Sequence, residues 1–138
     1  NPLGKSDFYI WDKQKDTLIL VTVDSIPGIT DLPDYAKDYP KKYEGKKAPV
    51  RGVNINGPYW NDAGTFAIVD IRSQDNKDRW IMQLDAASGK LILLDRQHDN
   101  AWIGGPGVGA FGAKIGWINN TSFYFQSEAT GYSHLYVY

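Results

Sequence analysis

The sequence has no cysteine among its 138 residues, and it has only two histidines and one methionine. The lack of cysteine excludes disulfide bonds, thiol catalysis and cysteine-based zinc sites. No apolar run reaches about 18 residues, so no membrane-spanning helix is expected. The net charge is −1 and the basic residues are interspersed with aspartates, which argues against the basic face that nucleic-acid binding needs.

Between residues 58 and 94, short runs of β-branched and aromatic residues alternate with turn residues. This pattern predicts a four-stranded antiparallel unit. Its first strand, which begins at Val50, ends at Trp60, and the others span Thr65–Ile71, Asp78–Asp85 and Lys90–Leu94.

Two spacings of this unit recur elsewhere in the chain. The apolar run 91–93 begins six residues after Asp85, and the apolar run 18–20 begins six residues after Asp12. A phenylalanine also follows a tryptophan at the same distance across a turn, in Trp60–Phe66 and in Trp117–Phe123. Repeated four-stranded units are typical of a β-propeller. The sequence therefore predicts an all-β partial propeller of about two antiparallel four-stranded blades, with an ordinary meander or sandwich as the alternative.

The repeats also predict a division of the chain into segments. The end of one blade spans residues 1–24, an insertion spans 25–49, a complete blade spans 50–95, a connecting loop spans 96–113, and the start of the next blade spans 114–138. Because the chain opens inside a repeat and closes before a fourth strand, we expect a segment of a longer protein whose unpaired ends self-associate. A two-fold dimer is the simplest expected form.

The insertion is rich in proline and lysine, and its tyrosines recur every four residues. Pro33 is expected to begin a short helix capped by Asp31, which Pro40 should stop or kink. The tyrosines would then dock on the sheet, whereas an exposed insertion is the interpretation preferred for residues 41–49.

Alternation along the predicted strands gives a set of side chains that should point inward. They are Trp60, Phe66, Ile68, Trp80, Met82, Leu84, Ile92, Trp117, Phe123, Phe125, Leu135 and Val137.

Residues 107–112 match G-x-G-x-x-G, but no helix pattern follows them, so a flexible loop is expected rather than a dinucleotide site. No G-x-S-x-G elbow occurs, and structural roles are expected for His98 and His134. The two glutamates, Glu44 and Glu128, belong to no paired-acid motif.

Charged residues near the central hairpin favour a structural interpretation. The run Asp75–Asp78 lacks calcium-loop spacing and contains a lysine, so a solvated hairpin tip is expected. Asp70, Arg72, Asp78 and Arg79 are predicted to form an ion-pair ladder across two strands. No catalytic residue, metal ligand or cofactor site is predicted.

The run from Ser127 to Tyr136 resembles the SE-x-x-G-x-x-HLY stretch of dipeptidyl peptidase IV-like enzymes, in the prolyl oligopeptidase family. The stretches Asp78–Gly89, Leu94–Asp99 and Trp102–Gly104 resemble the preceding blade of the same propeller. Together, these stretches extend the resemblance over roughly residues 54 to 138.

The resemblance implies a parent serine peptidase with an eight-bladed propeller and an α/β-hydrolase domain that carries the catalytic Ser, Asp and His. In such enzymes the propeller gates the site and helps to bind peptide substrates, often through an adjacent glutamate pair that this chain lacks. The loop that contains Trp102 approaches the substrate cavity in that family, so Trp102 is a candidate substrate-binding residue, with burial between blades as the alternative. A periplasmic or secreted location is also implied.

We therefore interpret the chain as a non-catalytic propeller segment of a serine exopeptidase. Its expected partners are a peptide substrate and the hydrolase domain of the same parent chain. The alternative function is a protein- or ligand-binding propeller scaffold with no hydrolase domain. An autonomous small enzyme is disfavoured, because no nucleophile–base constellation or metal cluster is found in the sequence.

Overall fold

The computed structural model describes residues 7–32, 34–45, 48–104 and 114–138, and this part of the chain is nearly all β. The strands are β1 (Phe8–Asp12), β2 (Thr17–Val21), β3 (Val53–Trp60), β4 (Ala67–Ser73), β5 (Asp78–Asp85), β6 (Lys90–His98), β7 (Ile115–Trp117), β8 (Phe123–Ser127) and β9 (His134–Val137).

These strands form three antiparallel sheets in which sequence neighbours pair. The first sheet is β1–β2, the second is β3–β4–β5–β6 and the third is β7–β8–β9. The turns between these strands use glycines with positive φ. Gly64, in the turn that begins at Asn61, has φ 65°, and Gly89 has φ 72° and donates its N–H to the Asp85 carbonyl at 2.8 Å. The predicted all-β fold class is confirmed.

The second sheet is covered on both of its faces. One face packs against the first sheet through a cluster that includes Val69, Trp80 and Met82. The other face packs against the third sheet through Ile68 and Ile81, which contact a cluster that contains Phe123 and Phe125. Residues of β4 and β5 are therefore buried along almost the whole of each strand, instead of alternating between buried and exposed.

Strand β6 is longer than predicted. It continues past Leu94 to His98, with a bulge in its pairing to β5 between Ile81 and Met82. The polar residues of this extension stay in the ladder because the side chains of Arg96 and His98 bind the buried Asp78 carboxylate. Strand β3 begins at Val53 rather than at Val50.

The inward set is right for residues of β4, β5 and β8, and wrong for Phe66 and for residues of β3, β6 and β9. Ile68, Trp80, Met82, Leu84, Phe123 and Phe125 are buried, whereas Trp60, Phe66, Ile92, Leu135 and Val137 are exposed. The prediction for Phe66 is wrong because this residue lies before β4 begins. Trp60 pairs with Ala67, the residue after Phe66, whereas Trp117 pairs with Phe123 itself. The equal Trp-to-Phe spacings therefore do not mark equivalent positions.

The insertion also differs from its prediction. It contains a 3-10 helix at Asp34–Asp38 and one α-helical turn, α1, at Pro40–Tyr43. The 3-10 helix ends at Asp38, as expected of a stop at Pro40, and Pro40 itself begins α1, because a proline in the first turn loses no intrahelical hydrogen bond. Tyr35 and Tyr39 are exposed rather than docked. The predicted helix start, Pro33, lies outside the described residues.

The insertion is anchored where it leaves the first sheet. Ile26 and Ile29 are buried against the second sheet, and the indole N–H of Trp80 donates to the Pro27 carbonyl at 2.9 Å. Within the described ranges, no helix has the length and apolar character needed to cross a membrane.

Candidate functional site

Polar and charged side chains gather at the end of the second sheet where β6 finishes and the β4–β5 turn lies. The loop that follows β6 is tied to that turn by backbone hydrogen bonds. The Asp99 N–H donates to Lys77 O at 3.0 Å, and the Ile103 N–H donates to Asn76 O at 2.8 Å. The ammonium of Lys77 also donates to Ala101 O at 2.9 Å. Residues 99–104 are thus held as a fixed platform rather than an open loop.

Asp78 lies at the centre of this region and its side chain is completely buried. Its carboxylate accepts hydrogen bonds from Arg51 Nη2 at 2.6 Å, from Arg96 Nε at 2.9 Å and from His98 Nδ1 at 2.9 Å. Burial alone would raise the pKa of Asp78, but the hydrogen bonds from Arg51, Arg96 and His98 outweigh burial and lower it. Asp78 is therefore ionised in the folded protein and has no free oxygen for general acid–base chemistry.

Arg51 connects three parts of the chain through one guanidinium. Besides Asp78, it donates to Gly28 O at 2.7 Å and to Ile29 O at 3.2 Å, and it pairs with Asp75 at 3.2 Å. Its guanidinium also stacks over the Trp80 ring. The planar fork of arginine permits this set of contacts, which fixes residues 28–29 against the second sheet.

His98 sits on the solvent side of Asp78. Its Nε2 atom lies 3.0 Å from Asn100 Oδ1. Burial lowers the pKa of His98, but hydrogen bonding to Asn100 and to Asp78 raises it more, so the net pKa is above the ordinary value. The structural role expected for His98 is consistent with these contacts. His134, at the start of β9, is exposed.

The predicted ion-pair ladder is correct for one pair only. Arg79 Nε donates to Asp70 at 2.8 Å, and both side chains are buried. Arg79 Nη1 also donates to the Gln126 carbonyl at 2.7 Å, which links the second and third sheets. Arg72 lies opposite Arg79 and donates to the Ile103 carbonyl, whereas Asp78 pairs with Arg51 and Arg96 instead of joining the ladder.

Trp102 stands on the platform and is 63% exposed. The Asp99 carboxylate accepts the backbone N–H groups of Ala101 at 2.6 Å and of Trp102 at 2.9 Å, which orients the indole-bearing residue. These hydrogen bonds, first that from Trp102, lower the pKa of Asp99. Trp102 is not buried between the sheets that the structure describes.

A groove runs beside Trp102 between the platform and the third sheet. One wall is the end of β6 together with the platform, and the other is the end of β8 and the turn after it. The lining residues are Asp95, Arg96, Gln97, His98, Asp99, Trp102, Ile103, Gly104, Ser127, Glu128 and Ala129.

In the ranges that the structure describes, no group of three or more His, Asp or Glu side chains is placed to hold a metal ion. Asn76 adopts φ 57° at the tip of the β4–β5 turn, as expected of a hairpin tip, but Asp78 is buried rather than solvated. The glycine-rich run 107–112 lies outside the described residues.

The sequence analysis missed Arg51 and Arg96. Arg96 and His98 share one face of β6, and the pairing of Asp78 with His98 follows from the hairpin once β6 is extended to its full length. That signal was available in the sequence. Arg51 lies outside any strand, so only tertiary structure brings it to Asp78.

The stacked antiparallel sheets define the chain as part of a β-propeller. No protein-family model matches the chain, and no curated protein matches its sequence. A solved structure similar to it is a protein from Bacteroides ovatus described as a "putative dipeptidyl aminopeptidase IV". The TM-score is 0.58 at 14% sequence identity, and the match covers 96% of this chain and 15% of that one. This likeness shows the fold alone, and the chain spans only a small part of that protein's length.

Proposed function

We propose that this chain is a non-catalytic propeller segment of a dipeptidyl peptidase IV-like serine exopeptidase. The observation that supports the proposal is the fold match over 96% of the chain to a protein that carries that description. The strand–turn–strand unit formed by β8 and β9 agrees with it, because it carries the SE-x-x-G-x-x-HLY residues that resemble the family.

In this proposal the segment contributes binding and gating surface, while a hydrolase domain of the same parent chain contributes the nucleophile. Trp102 is the residue through which the segment would contact a peptide substrate. Its exposure, its fixed backbone and its position beside a groove lined by both acidic and basic side chains support that role. Rigid elements that present an exposed aromatic ring are a common means of binding peptides.

The proposal is tested first by the full reading frame from which the chain derives. We expect a G-x-S-x-G elbow downstream of Tyr138, followed by Asp and His. The full protein should cleave Xaa-Pro or Xaa-Ala chromogenic dipeptides, and replacing the elbow serine by alanine should abolish cleavage. The 138-residue chain alone should show no turnover. Turnover by that chain which disappears on changing His98 or His134 would contradict the proposal.

Trp102→Ala in the full enzyme tests the binding role. We expect KM to rise about tenfold or more if the ring contributes stacking worth at least 1.4 kcal/mol, with the melting temperature unchanged. Trp102→Phe is the matched variant and should recover most of the affinity. An unchanged KM in the alanine variant would remove Trp102 from the proposed site.

A binding scaffold without a hydrolase domain is the second candidate. The structural contacts of the charged groups agree with either candidate, because neither assigns a catalytic residue to this segment. A full reading frame with no downstream hydrolase domain would select it.

A further inference from the structure

The main chain around Trp102 has little freedom left. The Asp99 carboxylate accepts the Trp102 N–H at 2.9 Å, and the next residue, Ile103, donates its own N–H to the Asn76 carbonyl at 2.8 Å. The Ile103 carbonyl accepts a hydrogen bond from Arg72, and the Ile103 side chain is buried. Because the backbone is bound at both residues, the placement of the indole depends mainly on rotation of its own side chain.

Gly104 lies against the indole of Trp102. A methyl group built on Gly104 would lie 3.0 Å from Cδ1 and 3.2 Å from Nε1 of Trp102, whereas unstrained contacts between heavy atoms begin at about 3.5 Å. The pyrrole side of the indole therefore faces Gly104 at a distance that leaves no room for a side chain there. Both residues line the groove beside the platform.

The absence of a side chain, and not backbone freedom, distinguishes glycine at this position. Gly104 does not adopt a positive φ, unlike Gly64 and Gly89 in the turns. Alanine at residue 104 would therefore escape the strain of the left-handed region. The added methyl group would act on the indole instead, which is 63% exposed and can rotate away from it at little cost in stability.

We propose that Gly104 is a positioning residue of the peptide-binding groove: it lets the pyrrole side of Trp102 rest against the main chain, which holds the indole in the orientation that binds substrate. This inference rests on the proposed function, because it takes Trp102 as the peptide contact. With its pyrrole side against Gly104, the indole extends its six-membered ring away from the main chain. A side chain already held in its binding orientation loses less conformational entropy when the ligand binds.

Gly104→Ala in the full enzyme moves the ring without removing it. We expect KM for chromogenic dipeptide substrates to rise at least about threefold, which is half in free energy of the about tenfold change expected for Trp102→Ala. The value of kcat should not change, because the contact with Trp102 is made in the ground state and in the transition state alike. The melting temperature should not change either, because residue 104 needs no positive φ.

The double variant tells whether Gly104 acts through the ring. In the Trp102→Ala background there is no indole for the new methyl group to displace. Adding Gly104→Ala should therefore leave KM at the value of Trp102→Ala alone. Independent effects would multiply instead, and KM of the double variant would rise at least about threefold further. That result contradicts the proposal, because it would give Gly104 an effect on the groove without the ring.

Gly64→Ala is the matched control. Nothing obstructs a methyl group on Gly64, but its φ is 65°. This variant should lower the melting temperature and leave KM unchanged, which is the opposite of the pattern expected for Gly104→Ala. If Gly104→Ala instead lowers the melting temperature and keeps KM, residue 104 serves the backbone and does not position the ring.

A spectroscopic readout tests the contact itself and does not depend on peptidase activity. The chain has five tryptophans, so a nitrogen–proton correlation spectrum of the 138-residue chain should show five indole N–H signals. Trp102→Phe identifies the signal of Trp102 by its disappearance. Gly104→Ala should shift that signal and leave the other indole signals in place, because the new methyl group would lie 3.2 Å from Nε1.

The two readouts separate failure of this inference from failure of the proposed function. If the Trp102 signal does not move in Gly104→Ala, the indole does not rest against Gly104, and the inference is wrong whatever the enzyme does. If the signal moves and only Trp102→Ala raises KM, the ring binds substrate without this orientation, and the inference is again wrong. If the signal moves and neither variant raises KM, the proposed role of Trp102 fails and the positioning role fails with it, although the contact itself stands.

Discussion

The first and second sheets are built from similar sequences but have different burial. The four residue pairs nearest the turn correspond in the hairpins β1–β2 and β5–β6, so that Leu18 is equivalent to Leu91. Yet β5 is buried along nearly its whole length, whereas β1 alternates between half-buried and exposed residues. The difference comes from what lies on each side of the sheet. The second sheet has a neighbour on both faces, whereas in the described structure the first has a neighbour on one. Burial in such a repeat is thus a property of position in the stack.

The largest expected effect tests the buried charge that belongs to the second sheet alone. Asp78→Asn removes the buried carboxylate that Arg51 and Arg96 share and leaves them only their more exposed partners, Asp75 and Asp31. The free energy of unfolding should therefore fall by about 3–5 kcal/mol. Chemical denaturation measures this loss. Asp31→Asn is the control: it removes an exposed partner of Arg96 and should cost less than about 1 kcal/mol. Equal losses would show that burial does not set the energy of this network.

Equivalent leucines test the comparison directly. Leu91→Ala should lower the free energy of unfolding by about 2–5 kcal/mol because it leaves a cavity between two sheets. Leu18→Ala, at the equivalent exposed position, should change it by less than about 0.5 kcal/mol. The measurement is made at concentrations where the chain is monomeric. Similar losses would mean that Leu18 is covered by another part of the chain.

Two turn glycines of the second sheet test the contact between these sheets, because Gly89 lies against β2 and Gly64 faces open space. Gly64→Ala should cost about 1–2 kcal/mol, because alanine disfavours its left-handed backbone and no atom obstructs the new methyl group. Gly89→Ala should cost more, because its methyl group would lie 2.9 Å from the Leu20 carbonyl oxygen as well. Thermal unfolding of the two variants measures the difference. If Gly89→Ala loses no more stability than Gly64→Ala, β2 can shift to make room for the methyl group.

The smallest expected effect concerns pH. Because the folded-state pKa of His98 is raised, the stability that it contributes is fully present below its unfolded pKa of about 6.5. This stability is lost as pH rises through the higher folded-state value. His98 is partly exposed, so the change should stay below about 1 kcal/mol. Urea midpoints at successive pH values measure it, and His98→Gln should remove the pH dependence from this window. Persistence of the dependence would assign it to another group.

Much of the fold was predictable because it depends on local signals. The hairpin turns follow from glycine and asparagine at positions that need positive φ, and the run 78–85 was predicted with the observed strand bounds. The candidate site was less predictable. Trp102 was selected by resemblance alone, and its role as a substrate contact stays a prediction. The predicted ladder was correct for Asp70 and Arg79 but not for Asp78, which lies on one of the same two strands and is bound by Arg51 and Arg96 instead.

The sequence by itself determined the strands, their antiparallel pairing and their grouping into repeated units. These features need only turn chemistry and β-forming residues within short stretches of chain. Tertiary structure alone decided which faces are covered, because Leu18 and Leu91 have equivalent surroundings within their hairpins and differ only in the sheet beyond. Tertiary structure also brought Arg51 to Asp78. A buried carboxylate must be paired with cations, and only the packing of the sheets determines which cations lie within hydrogen-bond distance of it.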